Sequence, residues 1–162
     1  MIKSVHNFLN NDECLIAIGC HKDYYFSNHV ALTNESKSSF HFFNKKDPNV
    51  FLEDLNSNLK FEEKLFKHIQ FQCRISNIWL NRQNKNSTLI PHSHGNCVLS
   101  GILYLKTDEN SSGTTFFHKD KTLTVDPECG LLLIFPNWLG HGASRNNLSE
   151  ERIVLSFNIQ QK

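Results

Sequence analysis

The chain lacks any C-x-x-C pair: its five cysteines, Cys14, Cys20, Cys73, Cys97 and Cys129, stand apart. An odd number without that spacing argues against a disulfide framework and against a structural zinc knuckle. Reduced, partly buried small hydrophobes are expected instead. An excess of one charge is missing too. Lys and Arg number 17 against 16 Asp and Glu, a formal net charge of +1, which gives no electrostatic footprint for nucleic acid or an anionic membrane. No apolar run is long enough to span a bilayer, and no signal peptide is recognisable. A soluble, cytoplasmic protein is therefore expected. Internal repeats, low-complexity tracts and interdomain linkers are also absent; NRQNKNST (81–88) and KTDENSSG (106–113) are turn-rich connections. With 162 residues, 39% hydrophobic and 20% charged, the chain is expected to form one domain over 1–162 with a core of its own.

Histidine is what the chain has in quantity, with nine in all. Two of them, His92 and His94, are one residue apart in PHSHGN (91–96); His141 follows in FPNWLGHG, and Arg152 in ERIVLSFN. Neutral imidazole suits iron, zinc, copper and nickel. In a strand, residues i and i+2 share a face, so His92 and His94 can converge on one point, with His141 as third ligand. A lone histidine is more often a surface or satisfied core residue, so the ordered set carries the argument.

The strands beside the histidines strengthen it. Ile153, Leu155, Phe157 and Ile159 alternate with Arg152, Val154, Ser156 and Asn158, a period-two strand with one apolar and one mostly polar face. CVLSGILYLK sets Leu99, Gly101, Leu103 and Leu105 against Ser100, Ile102 and Tyr104, and SNIWLN sets Ile78 and Leu80 against Trp79 and Asn81. Three such strands predict a barrel with a functional interior and a protein layer over its apolar faces.

The ordered set W-x-N, H-x-H, LSGILYL, GTTFF, PECGLLLIFPNWLGH and ERIVLSFN resembles a small branch of the 2-oxoglutarate- and Fe(II)-dependent oxygenases found in phages and marine bacteria. The resemblance covers residues 75–160, about half the chain, and VHNFLNNDECLIAI is similar to the segment before the first helix in these enzymes. It implies a mainly β fold, a double-stranded β-helix or cupin-like jelly roll, with N-terminal helices packed on one sheet. Residues 1–74 would then be helical support and variable loop, and 75–160 the barrel core. It also implies Fe(II) held by His92, His94 and His141, with His94 where such enzymes carry a carboxylate. Replacing that carboxylate by imidazole makes the site more electropositive. Arg152 would clamp the distal carboxylate of the cosubstrate 2-oxoglutarate through its planar donor fork, in preference to a surface ion pair with Glu150 or Glu151. Tyr104 would donate a second hydrogen bond to that carboxylate. Asn81, Ser100 and Asn158, with Trp79 and Ser156, would line the cavity. The implied reaction uses molecular oxygen to decarboxylate 2-oxoglutarate to succinate while hydroxylating a peptide side chain, an amino acid or a small metabolite. Two other classes fit the same barrel. One is a cupin-like three-histidine metalloenzyme without a keto acid, in which Arg152 clamps substrate; the other is a non-catalytic, metal-stabilised binding module.

His118-Lys119-Asp120 is a literal H-x-D, but it lies too close to His141 for the strands that normally separate the halves of such a site, and a turn is expected there. Cys97 lies near the ligand pair, and Asn96 either orients an imidazole or shapes a turn with Gly95. In the N-terminal half, Asn10 is expected to cap a helix with Glu13 at N3 and with Leu9 packed against Cys14. Asp47 and Pro48 should open another, whose stripe of Leu52, Leu55, Leu59, Phe66 and Ile69 breaks at Asn56–Asn58. In the aperiodic segment between the helices, Tyr24, Tyr25 and Phe26 are candidates to touch substrate.

Overall fold

The computed structural model describes residues 1–21, 26–28, 32–33, 36–40, 48–145, 147 and 151–162. Eleven strands and three helices occur among them. The first part of the chain holds β1 (Lys3–Val5), α1 (Asn11–Cys20), β2 (Ser27–Asn28), β3 (Lys37–Ser38), α2 (Pro48–Leu59) and α3 (Phe61–Phe66). Then come β4 (Cys73–Gln83), β5 (Leu89–His92), β6 (Leu99–Lys106), β7 (Thr114–His118), β8 (Lys121–Val125), β9 (Leu132–Pro136), β10 (Gly140–Ala143) and β11 (Arg152–Gln161).

Helix α1 begins where the sequence places it. Asn10 Oδ1 accepts from the Glu13 N–H at 2.9 Å and Glu13 Oε2 accepts from the Asn10 N–H at 3.0 Å, a reciprocal capping box. Leu9 and Cys14 are both buried in the core behind it. Pro48 is the first residue of α2, while the expected cap Asp47 lies outside the described residues. The break after α2 falls at Lys60, not at Asn56–Asn58. Lys60 takes the left-handed conformation, φ 52° and ψ 44°, and ends the helix. Asn56 stays helical because its side chain serves the next helix, accepting from the Glu62 N–H at 2.9 Å and donating to Glu62 Oε2 at 2.7 Å.

All strand pairing is antiparallel, in two sheets: β1-β9-β6-β11-β4-β3-β2 and β5-β10-β7-β8. This is the expected jelly-roll architecture, mainly β with helices on one sheet. The alternation along β11 divides the interior in two. Ile153, Leu155, Phe157 and Ile159 join Leu103, Leu105, Ile78 and Leu80 in a core shared with Phe51, Leu55, Phe61 and Leu65 of α2 and α3. Val154, Ile102 and Tyr104 face the other way, into a second core with Phe116 of β7 and Leu133 and Phe135 of β9. The helices thus cover the outer face of the large sheet. Its inner face, opposite the small sheet, holds the only polar side chains of β11 buried among apolar neighbours, Arg152, Ser156 and Asn158. No helix among the described residues is long and apolar enough to cross a membrane.

Candidate metal centre

His92 closes β5 and lies directly opposite His141 of β10 in the ladder. Opposite residues on an antiparallel pair put their side chains on one face within contact distance. Gly142 permits the close approach of these strands, since a Cβ there would sit 2.7 Å from the Leu89 carbonyl oxygen. His94 reaches the same point by a different route from the one expected. It lies past the end of β5, so strand alternation does not aim it. The loop that carries it is pinned at His94 N–H to Asn137 O (2.9 Å), Asn137 Nδ2 to His94 O (3.2 Å) and Asn137 N–H to Val98 O (3.3 Å). Asn96 turns this loop with φ 53°, and its carbonyl accepts from Gln160 Nε2 at 2.7 Å. Its role in the turn is therefore visible in its backbone.

The three histidines each bring a ring nitrogen into a cluster whose atoms lie within 4.8 Å of one another, the one group among the described residues with such metal-holding potential. His92 Nδ1–H donates to Ile90 O at 2.9 Å and His141 Nδ1–H donates to Leu139 O at 3.1 Å, which leaves Nε2 of each as the free lone pair. His94 Nε2 and His141 Nε2 are 3.3 Å apart. Two imidazole nitrogens about 2.1 Å from one ion are about 3.0–3.4 Å apart at right-angled to tetrahedral geometry, so the donors fit a divalent transition metal. Burial, and then the neighbouring His92, push the pKa of His94 down to about 4 and that of His141 down to about 3. Both are neutral near pH 7, the state a ligand needs. Phe135 stands edge-on to His141 at 4.7 Å, and Trp79, itself against Phe40 at 4.8 Å, lies 5.9 Å from His94.

The cluster opens into a cavity of about 390 Å³ between the sheets. Asn81, Ser100, Ser156, Asn158 and Trp79 line it, as expected, along with Asn77, Gln83, Thr114, Phe40 and Phe135. Asn81 Nδ2 donates to Ser156 Oγ at 3.3 Å and Ser100 Oγ to Asn158 Oδ1 at 3.0 Å. At one end lies Arg152, 2% exposed. Among the described residues no carboxylate pairs with it: Glu151 turns instead to Arg82, at 2.6 and 2.8 Å, and Glu150 is not described. Arg152 Nη1 donates to Gln83 Oε1, while Arg152 Nε has no partner. Burial lowers the guanidinium pKa from its usual value, with Tyr104 opposing. Tyr104 is fully buried beneath it, with Arg152 Cζ 5.1 Å from its ring centre and its hydroxyl bonded to Thr114. It is not among the residues lining the cavity.

The remaining candidates fall elsewhere. His118 ends β7, and Lys119 and Asp120 form the β7–β8 turn, with Lys119 at φ 55°. The Cys97 thiol sits 3.8 Å from Ser100 Oγ, its pKa raised by burial, outside the histidine cluster. Phe26 packs against His21 and beneath Arg82, away from the cavity; Tyr24 and Tyr25 lie outside the described residues. Sequence reasoning missed Gln83, Thr114 and Phe40. Gln83 extends the alternation of Trp79 and Asn81, which would have found it, whereas Phe40 lies in a stretch without period.

Fold and site define a class: a double-stranded β-helix whose interior joins a three-imidazole cluster to a buried guanidinium. Residues 77–124 and 117–158 match the family model described as "Putative 2OG-Fe(II) oxygenase", together just over half the chain. The chain belongs to this family: it is a non-haem Fe(II)- and 2-oxoglutarate-dependent oxygenase. No curated protein matches its sequence. Among solved structures it is similar in fold to a 2OG-Fe(II) oxygenase family oxidoreductase from Burkholderia pseudomallei, at 9% identity and TM-score 0.76, over 99% of this chain and 84% of that one. HygX from Streptomyces hygroscopicus, solved with nickel, 2-oxoglutarate and hygromycin B, gives 10% identity and TM-score 0.74 over 99% and 83%. A Trichoplax adhaerens prolyl hydroxylase, in complex with a hypoxia inducible factor peptide, gives 14% and 0.69 over 99% and 83%.

Proposed function

We propose that His92, His94 and His141 hold the Fe(II), that Arg152 holds the distal carboxylate of 2-oxoglutarate, and that the enzyme hydroxylates an uncharged group on a peptide side chain, an amino acid or a small metabolite. The observation that carries this reading is the joining, in one cavity, of three clustered imidazoles to a buried guanidinium with a donor unpartnered among the described residues. Bound Fe(II) supplies activation of dioxygen, coupled to decarboxylation of the keto acid and insertion of one oxygen atom into a substrate C–H bond.

The chain's own residues do the rest. The bonds from His92 and His141 to backbone carbonyls fix each ring's tautomer and aim. An uncompensated buried guanidinium is costly, so Arg152 favours an anion at its end of the cavity. Among the described residues no acidic side chain lines the cavity, and with His94 in place of a carboxylate the three proposed ligands carry no negative charge. The dianionic cosubstrate is therefore attracted from both ends. Beyond Arg152 and the histidines, every lining side chain among the described residues is uncharged, which favours an uncharged substrate group there. Asn77, Ser100 and Asn158 offer hydrogen bonds, and Trp79 and Phe40 an apolar wall. HygX, solved with hygromycin B, and the Trichoplax enzyme, solved with a peptide fragment, support keeping both small molecules and peptides in this reading.

The test is succinate formation from 2-oxoglutarate by Fe(II)-loaded protein. Slow turnover without substrate should be lost in His141→Ala. Arg152→Ala should need at least about tenfold more 2-oxoglutarate, because a hydrogen-bonded ion pair is lost. An unchanged concentration dependence in Arg152→Ala would remove the clamp.

A further inference from the structure

Gln83 is the last residue of β4 and lies directly across the ladder from Arg152. It is 1% exposed and lines the same end of the cavity. Arg152 Nη1 donates to its Oε1. A guanidinium has only donors, so this bond fixes how the amide is turned: Oε1 faces Arg152 and the NH2 group points elsewhere. Among the described residues that nitrogen finds no acceptor, and neither does Arg152 Nε. Buried donors in folded proteins are almost always paired. Two orphans on adjoining side chains at one end of a cavity favour a ligand rich in acceptors, and no acidic side chain among the described residues lines the cavity to provide them.

We infer that Gln83 completes the cosubstrate clamp, its Oε1 holding the Arg152 fork in place and its Nε2 donating to the distal carboxylate of 2-oxoglutarate. The inference rests on the reading that Arg152 binds that carboxylate. It sets Gln83 beside Tyr104, to which the resemblance gave a donor role and whose hydroxyl, bonded to Thr114, also interacts with Arg152. Residue type matters at this position. A glutamate would pair with Arg152 and set a second negative charge against the cosubstrate; an alanine would free the guanidinium and remove a donor.

The test compares two keto acids by anaerobic calorimetry on Fe(II)-loaded protein: 2-oxoglutarate, and 2-oxovalerate, which has a methyl where the distal carboxylate would be. Gln83→Ala and the isosteric Gln83→Glu should each weaken 2-oxoglutarate by about ten- to hundredfold, the effect of a hydrogen bond to a charged group, and leave 2-oxovalerate within about twofold of the parent. Gln83→Glu preserves volume and reads the effect even if Gln83→Ala does not fold. An equal loss for both ligands would make Gln83 a structural residue only and overturn the inference, as would an unchanged affinity for 2-oxoglutarate. A parent protein that binds 2-oxoglutarate no better than 2-oxovalerate would instead strike at the Arg152 clamp itself, and the inference would fall with it.

Discussion

His94 Nε2 and His141 Nε2 face each other at 3.3 Å inside a largely apolar wall, and the cost of charging either ring there has a pH signature. Both pKa values are depressed, to about 4 and about 3, against about 6.5 in an unfolded chain. Above pH 6.5 neither state takes up a proton, so the folded protein has its full stability. As pH falls below 6.5 the unfolded chain binds protons that the folded metal-free protein refuses. Stability then drops by up to about 1.4 kcal/mol per pH unit per histidine, less for His94, which is partly exposed. Urea midpoints of metal-free protein should fall from pH 7 to pH 5, and by less in His141→Asn; a midpoint indifferent to pH would contradict this. Metal content after dialysis separates the histidine cluster from the H-x-D decoy: His141→Ala should lose Fe(II), whereas His118→Ala, at the exposed end of β7, should keep it. Residue order alone singled out His92, His94, His141 and Arg152. What it could not supply was the path of His94, set by Asn137 and the turn at Asn96, or the bond between Arg152 and Gln83, which depends on side-chain partners across strands.

Strand faces were the most legible elements, because a period of two admits only one assignment once one face is apolar. β11 and β6 bury what their alternation says they bury. At one position they fit so closely that glycine is required: Gly101 lies opposite Phe157, and a Cβ there would fall 2.1 Å from the buried phenyl ring. Gly101→Ala should destabilise by about 1–3 kcal/mol through overpacking, read as a lower urea midpoint with unchanged slope. Asn10→Ala, which removes the cap of α1 and one half of its capping box, should cost about 1 kcal/mol by the same measurement. The α2–α3 break was misplaced because an asparagine run looks like a breaker by composition. The structure instead uses Asn56 to cap α3 and Asn58 Nδ2 to donate to Asp54 O at 2.8 Å, leaving the left-handed turn to Lys60.

At the scale of the whole molecule, the helices cover one face of the large sheet so that its other face can carry polar groups. Asn158, Ser156 and Arg152 are buried on a strand whose alternate residues form the apolar core. A metal and a keto acid that bind only the folded state stabilise it by about 2.7 kcal/mol at a hundredfold excess over Kd. Nickel, as an inert substitute for iron, should therefore raise the melting temperature, and 2-oxoglutarate should raise it further only when metal is present. A barrel with a polar interior followed from strand pattern and the jelly roll from the family resemblance, but the cavity's floor did not, since it depends on which strands become neighbours. The most direct test of the central claim is an anaerobic titration of the purified protein with Fe(II) and then 2-oxoglutarate, followed in the visible spectrum. A weak charge-transfer band that requires both additions, and is absent in His141→Ala, is the predicted result. Bound iron with no band on adding 2-oxoglutarate would contradict the account.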